Sequence, residues 1–220
     1  FLKAGLLDRA EAALLPLEGT PFEEQARLAL LALYERSRDW PQAAAIAHKL
    51  QAAGQGDFST RLAHYLCEQA QARSTQGDMQ RAQELLEQAV ATARDAARPY
   101  LELARLQQAQ GRSAAALTRL QSLADRAPAA LPLAAPLLAE AAQAAGQVGQ
   151  ALTLLHTHYA AAPALDLLQP IVTLEAVQSG NPQKARQWWV KHLDKELSLV
   201  AAAQWLATEK LEHEEFHPQV

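Results

Sequence analysis

The feature that most narrows what this chain can fold into is a recurring frame in which a glycine precedes an alanine by five residues. It stands most openly in Gly111-Arg-Ser-Ala-Ala-Ala116-Leu-Thr-Arg-Leu120-Gln-Ser-Leu123, with Pro128 five residues further on. Gly111 is placed to close one helix and Ser113 to cap the next. Ala116, Leu120 and Leu123 then fall on one helical face. The frame returns as Gly77 to Ala82, Gly146 to Ala151 and Gly180 to Ala185. Gly5 to Ala10 also fits, and Arg38 to Ala43 fits with arginine in the glycine slot. The alanines Ala10, Ala43, Ala82, Ala116, Ala151 and Ala185 are spaced by 33, 39, 34, 35 and 34 residues.

A helix-turn-helix period of about 34 residues is the signature of tetratricopeptide repeats. The expected fold is all-α: one right-handed superhelical solenoid of antiparallel helix pairs over residues 1–220. A partial first repeat covers 1–19. Complete repeats follow at 20–53, 58–95, 97–128, 131–163 and 164–194. A capping helix or the start of a seventh repeat covers 196–211, and a polar tail covers 212–220. Pro16 should end the first-repeat helix. Thr20-Pro-Phe-Glu23 reads as a capping box with Thr20 at the N-cap and Pro21 at the first helical position. Asp39 should cap the helix carrying Ala43, Ala47 and Leu50, and 53–58 is a longer loop between repeats. Pro136 and Pro170 hold matching places, so their helices should start late or bend there. Small residues mark the crossings, pairing Ala70 with Ala82, Ala104 with Ala116 and Ala139 with Ala151.

Composition removes several classes of function. The 220 residues carry 20 Lys and Arg against 24 Asp and Glu, a formal charge of −4, which gives no general attraction to nucleic acid or anionic lipid. Cys67 stands alone, so it can neither close an internal disulfide nor build a cysteine-rich zinc site. No apolar run is long enough to span a bilayer, and no signal-peptide pattern is present. Opening at Phe1, the chain reads as a piece of a longer protein.

Motifs for chemistry are sparse. His156 and His158 at i, i+2 on a helix point about 200° apart, which disfavours a shared metal. Cys67 with His64 shares a helix face, but no oxyanion donor accompanies them, and a small buried hydrophobe is the simpler role for the cysteine. Trp189 takes the packing slot of its helix, leaving Trp188 for an edge or a binding surface. No catalytic residue, cofactor site or metal ligand is assigned in this stretch.

Resemblance to tetratricopeptide proteins implies that the first helix of each repeat lines a groove. In repeats three and four its positions hold His64, Glu68, Gln71, Arg98, Glu102 and Arg105, a mixed polar surface. In repeats five and six they hold Leu133, Leu137, Leu167, Ile171 and Leu174, read as a partner-binding apolar patch with no role in the repeat's own core; a seventh repeat or a dimer mate covering them is the alternative. Beyond the generic pattern, Ala4-Gly-Leu-Leu-Asp-Arg-Ala-Glu11, Asp39-Trp40 with Ala43, and Ala63-His-Tyr-Leu-Cys-Glu-Gln-Ala70 resemble the lipopolysaccharide assembly protein B family of Gram-negative bacteria. That resemblance implies a non-catalytic adaptor on the cytoplasmic face of the inner membrane, linking the lipid A pathway deacetylase to a membrane AAA+ protease. It places the membrane anchor and a rubredoxin-like metal module outside this stretch. The implied partners are proteins, with a homodimer also open and no nucleic acid. Two other classes fit the repeat alone: an assembly or chaperone-type protein for another envelope or secretion client, and an array accessory to an enzyme.

Overall fold

A computed structural model describes residues 2–194, 200, 202, 203, 205 and 206. The described elements are helical: α1 (Leu2–Leu14), α2 (Glu23–Ser37), α3 (Trp40–Ala52), α4 (Ser59–Thr75), α5 (Met79–Thr92), α6 (Ala97–Ala109), α7 (Ser113–Arg126), α8 (Leu131–Ala144), α9 (Val148–Ala161), α10 (Leu165–Ser179) and α11 (Pro182–Leu193). Short 3-10 turns at Leu15–Leu17 and Pro128–Ala130 follow α1 and α7. Most of the expected helix at 196–211, and all of the tail, lie outside the described residues; 200, 202, 203, 205 and 206 are helical.

The turns explain why helices come in pairs. Gly77, Gly111, Gly146 and Gly180 all adopt positive φ, the left-handed conformation that ends a helix and reverses the chain. Arg38 occupies the same conformation at φ 59°, as the arginine in its glycine slot requires. Side-chain caps then start the partner helices: Asp39 accepts from the Gln42 N–H at 3.2 Å, Asp78 from Arg81 at 3.1 Å and Asn181 from Lys184 at 3.1 Å.

Four local expectations are corrected. Gly5 opens no turn but lies inside α1. Ser113 is the first helical residue of α7 and caps nothing, since Arg112 holds the N-cap position. At α2 the helix starts at Glu23; Thr20 Oγ1 accepts from the Phe22 N–H at 3.2 Å while Glu23 accepts from the Gly19 N–H at 3.0 Å, so the capping contacts form across a turn that precedes the helix. The helices carrying Pro136 and Pro170 do not start late: α8 and α10 each begin five residues before the proline, held by packing that outweighs one missing helical hydrogen bond per helix.

The described residues form two compact units, divided between Leu106 and Gln107 within α6. In the first, Leu31, Tyr34, Ala43, Leu50, Phe58 and Tyr65 join α2, α3 and α4 in one cluster, with the loop residue Phe58 buried among them. A second cluster there gathers Cys67, Ala70, Ala82, Leu86, Ala89 and Leu103. In the second unit α8 packs on α7, α9 and α10, and α10 also packs on α9 and α11. The frame alanines Ala43, Ala82, Ala116, Ala151 and Ala185 are all buried, as close helix crossings demand.

Candidate functional site

The first helices of the repeats present two different surfaces. In the first unit, Arg98 on α6 donates from Nη2 to Glu68 on α4 at 2.7 Å and from Nε to Glu102 at 2.5 Å, and it also contacts His64 Nδ1. His64 lies edge-on to Trp40, with ring centroids 5.6 Å apart, and Trp40 stacks on Tyr65. One guanidinium thus holds two carboxylates and an imidazole, tying α4 to α6. Four of the expected groove residues are brought together here, whereas Gln71 and Arg105 stay exposed outside the cluster. Tyr34 and Tyr65 add a second repeating tie that sequence reading missed: each hydroxyl donates to a glutamate of an earlier helix, Tyr34 to Glu11 at 2.6 Å and Tyr65 to Glu35. Burial and the neighbouring carboxylate both push these phenols upward, Tyr34 to about 12.

Cys67 lies on the inner side of α4, fully buried, and burial pushes its thiol up to about 12. It therefore stays protonated at neutral pH and behaves as a small hydrophobe. His64, on the exposed side, faces Arg98 rather than the thiol.

In the second unit the expected apolar patch is corrected. Leu167, Ile171 and Leu174 are at most 1% exposed. They belong to the core because α10 is packed by α8, α9 and α11 together, so it is apolar around most of its circumference. Leu137 is half-buried, and Leu133 alone among the five is open, at 68% exposure. The more exposed face of α10 runs instead through Asp166, Gln169 and Thr173. The signal for this was the polar stripe at i, i+3 and i+7 itself.

Between α8 and α10 lies a groove of about 510 Å³. Pro132, Leu133 and Pro136 line it from α8, and Leu165, Asp166 and Pro170 from α10. Glu140, Gln143, Gln169 and Thr173 complete its polar border.

A different cluster joins α9, α10 and α11. His156 stacks on Trp188 with centroids 4.5 Å apart, its Nε2 lies 3.3 Å from Glu175, and Lys191 lies over the Trp188 ring. Trp188 is thus enclosed by neighbours, while Trp189 is fully buried. Burial holds the His156 imidazole below its ordinary value of 6.5, against the pull of Glu175. Deeper in, the Tyr159 hydroxyl and His192 Nδ1 share a buried hydrogen bond of 2.7 Å.

Comparison with known proteins places this geometry. The tetratricopeptide repeat family matches residues 75–141. Lipopolysaccharide assembly protein B of Escherichia coli (strain K12) is 32% identical over 122 residues, 55% of this chain and 31% of that protein. Residues 75–141 carry the tetratricopeptide repeat, and the chain resembles lipopolysaccharide assembly protein B. The Haemophilus influenzae (strain ATCC 51907 / DSM 11121 / KW20 / Rd) protein of that name is 28% identical over 129 residues, 58% of this chain and 32% of its own length. The aligned stretch spans about a third of these curated relatives. The fold agrees with the crystal structure of YrrB, described as a tetratricopeptide-repeat protein with an unusual peptide-binding site: TM-score 0.51 and 15% identity, over 89% of this chain and 96% of YrrB. A fold of this type on a chain of this similarity is a protein-interaction scaffold.

Proposed function

We propose that the chain is a non-catalytic adaptor in the control of lipopolysaccharide biosynthesis, linking the lipid A pathway deacetylase to a membrane AAA+ protease. The observation that carries this reading is the similarity to lipopolysaccharide assembly protein B over more than half of the chain. The surface chemistry supports a binding rather than a catalytic role. The chain's one thiol is buried and protonated, and the charged groups of the first unit's cluster are already paired with one another. No helix among the described residues is long and apolar enough to cross a membrane, so a place at the inner membrane would come from an anchor elsewhere in the parent protein.

Co-purification of the chain with the deacetylase, and separately with the soluble portion of the protease, tests the reading. Retention of either by these repeats is the expected outcome. If neither is retained by chain whose circular dichroism shows it folded, recognition does not reside in this stretch.

A further inference from the structure

We propose that the groove between α8 and α10 binds an extended peptide segment carrying Lys or Arg between apolar side chains. This rests on the adaptor reading and names the chemistry of one partner segment. Three observations converge on it.

The groove has an apolar floor and a volume in the range that compact ligands fill. Pro132, Leu133, Pro136, Leu165 and Pro170 supply that floor, so the occupant must bring apolar groups.

Its charge has one sign. Glu140 and Asp166 both border the groove, no lysine, arginine or histidine does, and neither carboxylate has a hydrogen-bond or ion-pair partner among the described residues. This is the opposite of the first unit, where Arg98 answers Glu68 and Glu102. A cationic side chain on the occupant completes the pairing. A second copy of the chain is a poor candidate, since the chain is itself acidic, with a formal charge of −4.

The groove's walls also carry two backbone carbonyls without an i+4 donor. Pro136 and Pro170 have no N–H, so the carbonyls four residues earlier, of Pro132 and Asp166, lack their helical donors. All four residues line the groove, two acceptors on two facing helices. An extended peptide brings unpaired N–H groups along its length and can serve them.

Fluorescence anisotropy of the whole chain with two labelled heptapeptides tests this. The probes are Ser-Leu-Lys-Val-Arg-Leu-Ser and its charge-inverted form Ser-Leu-Glu-Val-Asp-Leu-Ser. The basic peptide should bind at least about tenfold more tightly, and Glu140→Lys with Asp166→Lys should remove that preference. Pro136→Ala, at an exposed position, should raise Tm by returning an N–H to α8, yet weaken the basic peptide several-fold. A purely structural proline would not move the two in opposite directions. Equal binding of both peptides, binding of neither, or an unchanged preference in the double variant overturns the proposal. So does sedimentation showing that the double variant alters only self-association. Retention of the deacetylase or protease by a chain that binds neither peptide would sink this groove assignment while leaving the adaptor reading standing. Peptide binding without retention of either protein would do the reverse.

Discussion

Two regions built from corresponding repeat positions end in opposite electrostatic states. On α4 and α6 the polar side chains satisfy one another: Arg98 is held by Glu68 and Glu102 and touches His64. On α8 and α10 the carboxylates Glu140 and Asp166 border an apolar groove without such a partner among the described residues. The charged surface is thus the structural one, and the apolar surface the one left with unmet polar groups. A polar stripe in a repeat protein does not by itself mark a binding face; what matters is whether its charges are already answered within the chain.

The largest expected effect tests which leucine-type positions are core. Ile171→Ala should cost about 2–5 kcal/mol in urea unfolding, whereas Leu133→Ala at an open position should stay within about 0.5 kcal/mol. Equal costs would reverse the assignment of the two faces. Next comes the internal charge cluster. Arg98→Ala should destabilise by about 1–2 kcal/mol, with the loss shrinking at high salt, while Glu140→Ala should leave the denaturation midpoint in place. A neutral outcome for Arg98→Ala would remove the contrast between the two surfaces. Arg38→Gly should then raise stability by about 0.5–1 kcal/mol, because a left-handed position is relieved of its side chain. A fall would mean that Arg38 makes contacts outweighing its strain.

The smallest effect is a pH dependence confined to the second unit. Burial lowers the His156 pKa in the folded state, so below 6.5 the unfolded chain takes up a proton that the native state refuses. Stability from this group is therefore present above 6.5 and lost as pH falls toward the depressed value. Thermal unfolding between pH 7 and pH 5 should show a decline in the parent protein that is shallower in His156→Gln. Identical slopes would show that Glu175 compensates the burial.

The parts of this fold legible in the sequence are those set by local chemistry. Gly77, Gly111, Gly146 and Gly180 announce left-handed turns, Asp39 announces a cap, and the alanine frame announces close crossings, whereas the caps at Asp78 and Asn181 emerge only from the structure. Arg38 was readable only because the frame assigned its slot. The face of α10 was not readable from its apolar residues, since a helix packed from several sides is apolar nearly all round and periodicity no longer singles out one stripe. Of the candidate site, His64, Glu68, Arg98 and Glu102 could be grouped from repeat spacing, but that they satisfy one another depends on side-chain reach across two helices. Pro136 and Pro170 were visible as a matched pair; that they sit inside intact helices and deprive two carbonyls of their i+4 donors depends on tertiary packing holding α8 and α10 together.

The buried thiol of Cys67 gives the molecule a built-in clock. It is the only cysteine in 220 residues, it lies in the apolar cluster joining α4, α5 and α6, and it is protonated there. An alkylating reagent can reach it only when that cluster separates, and on release its acidity returns to the ordinary thiol range, so each opening is recorded as an irreversible mass increase. The rate of that increase, in the native protein and without denaturant, measures how often the first unit breathes, with no label to add and no residue to replace.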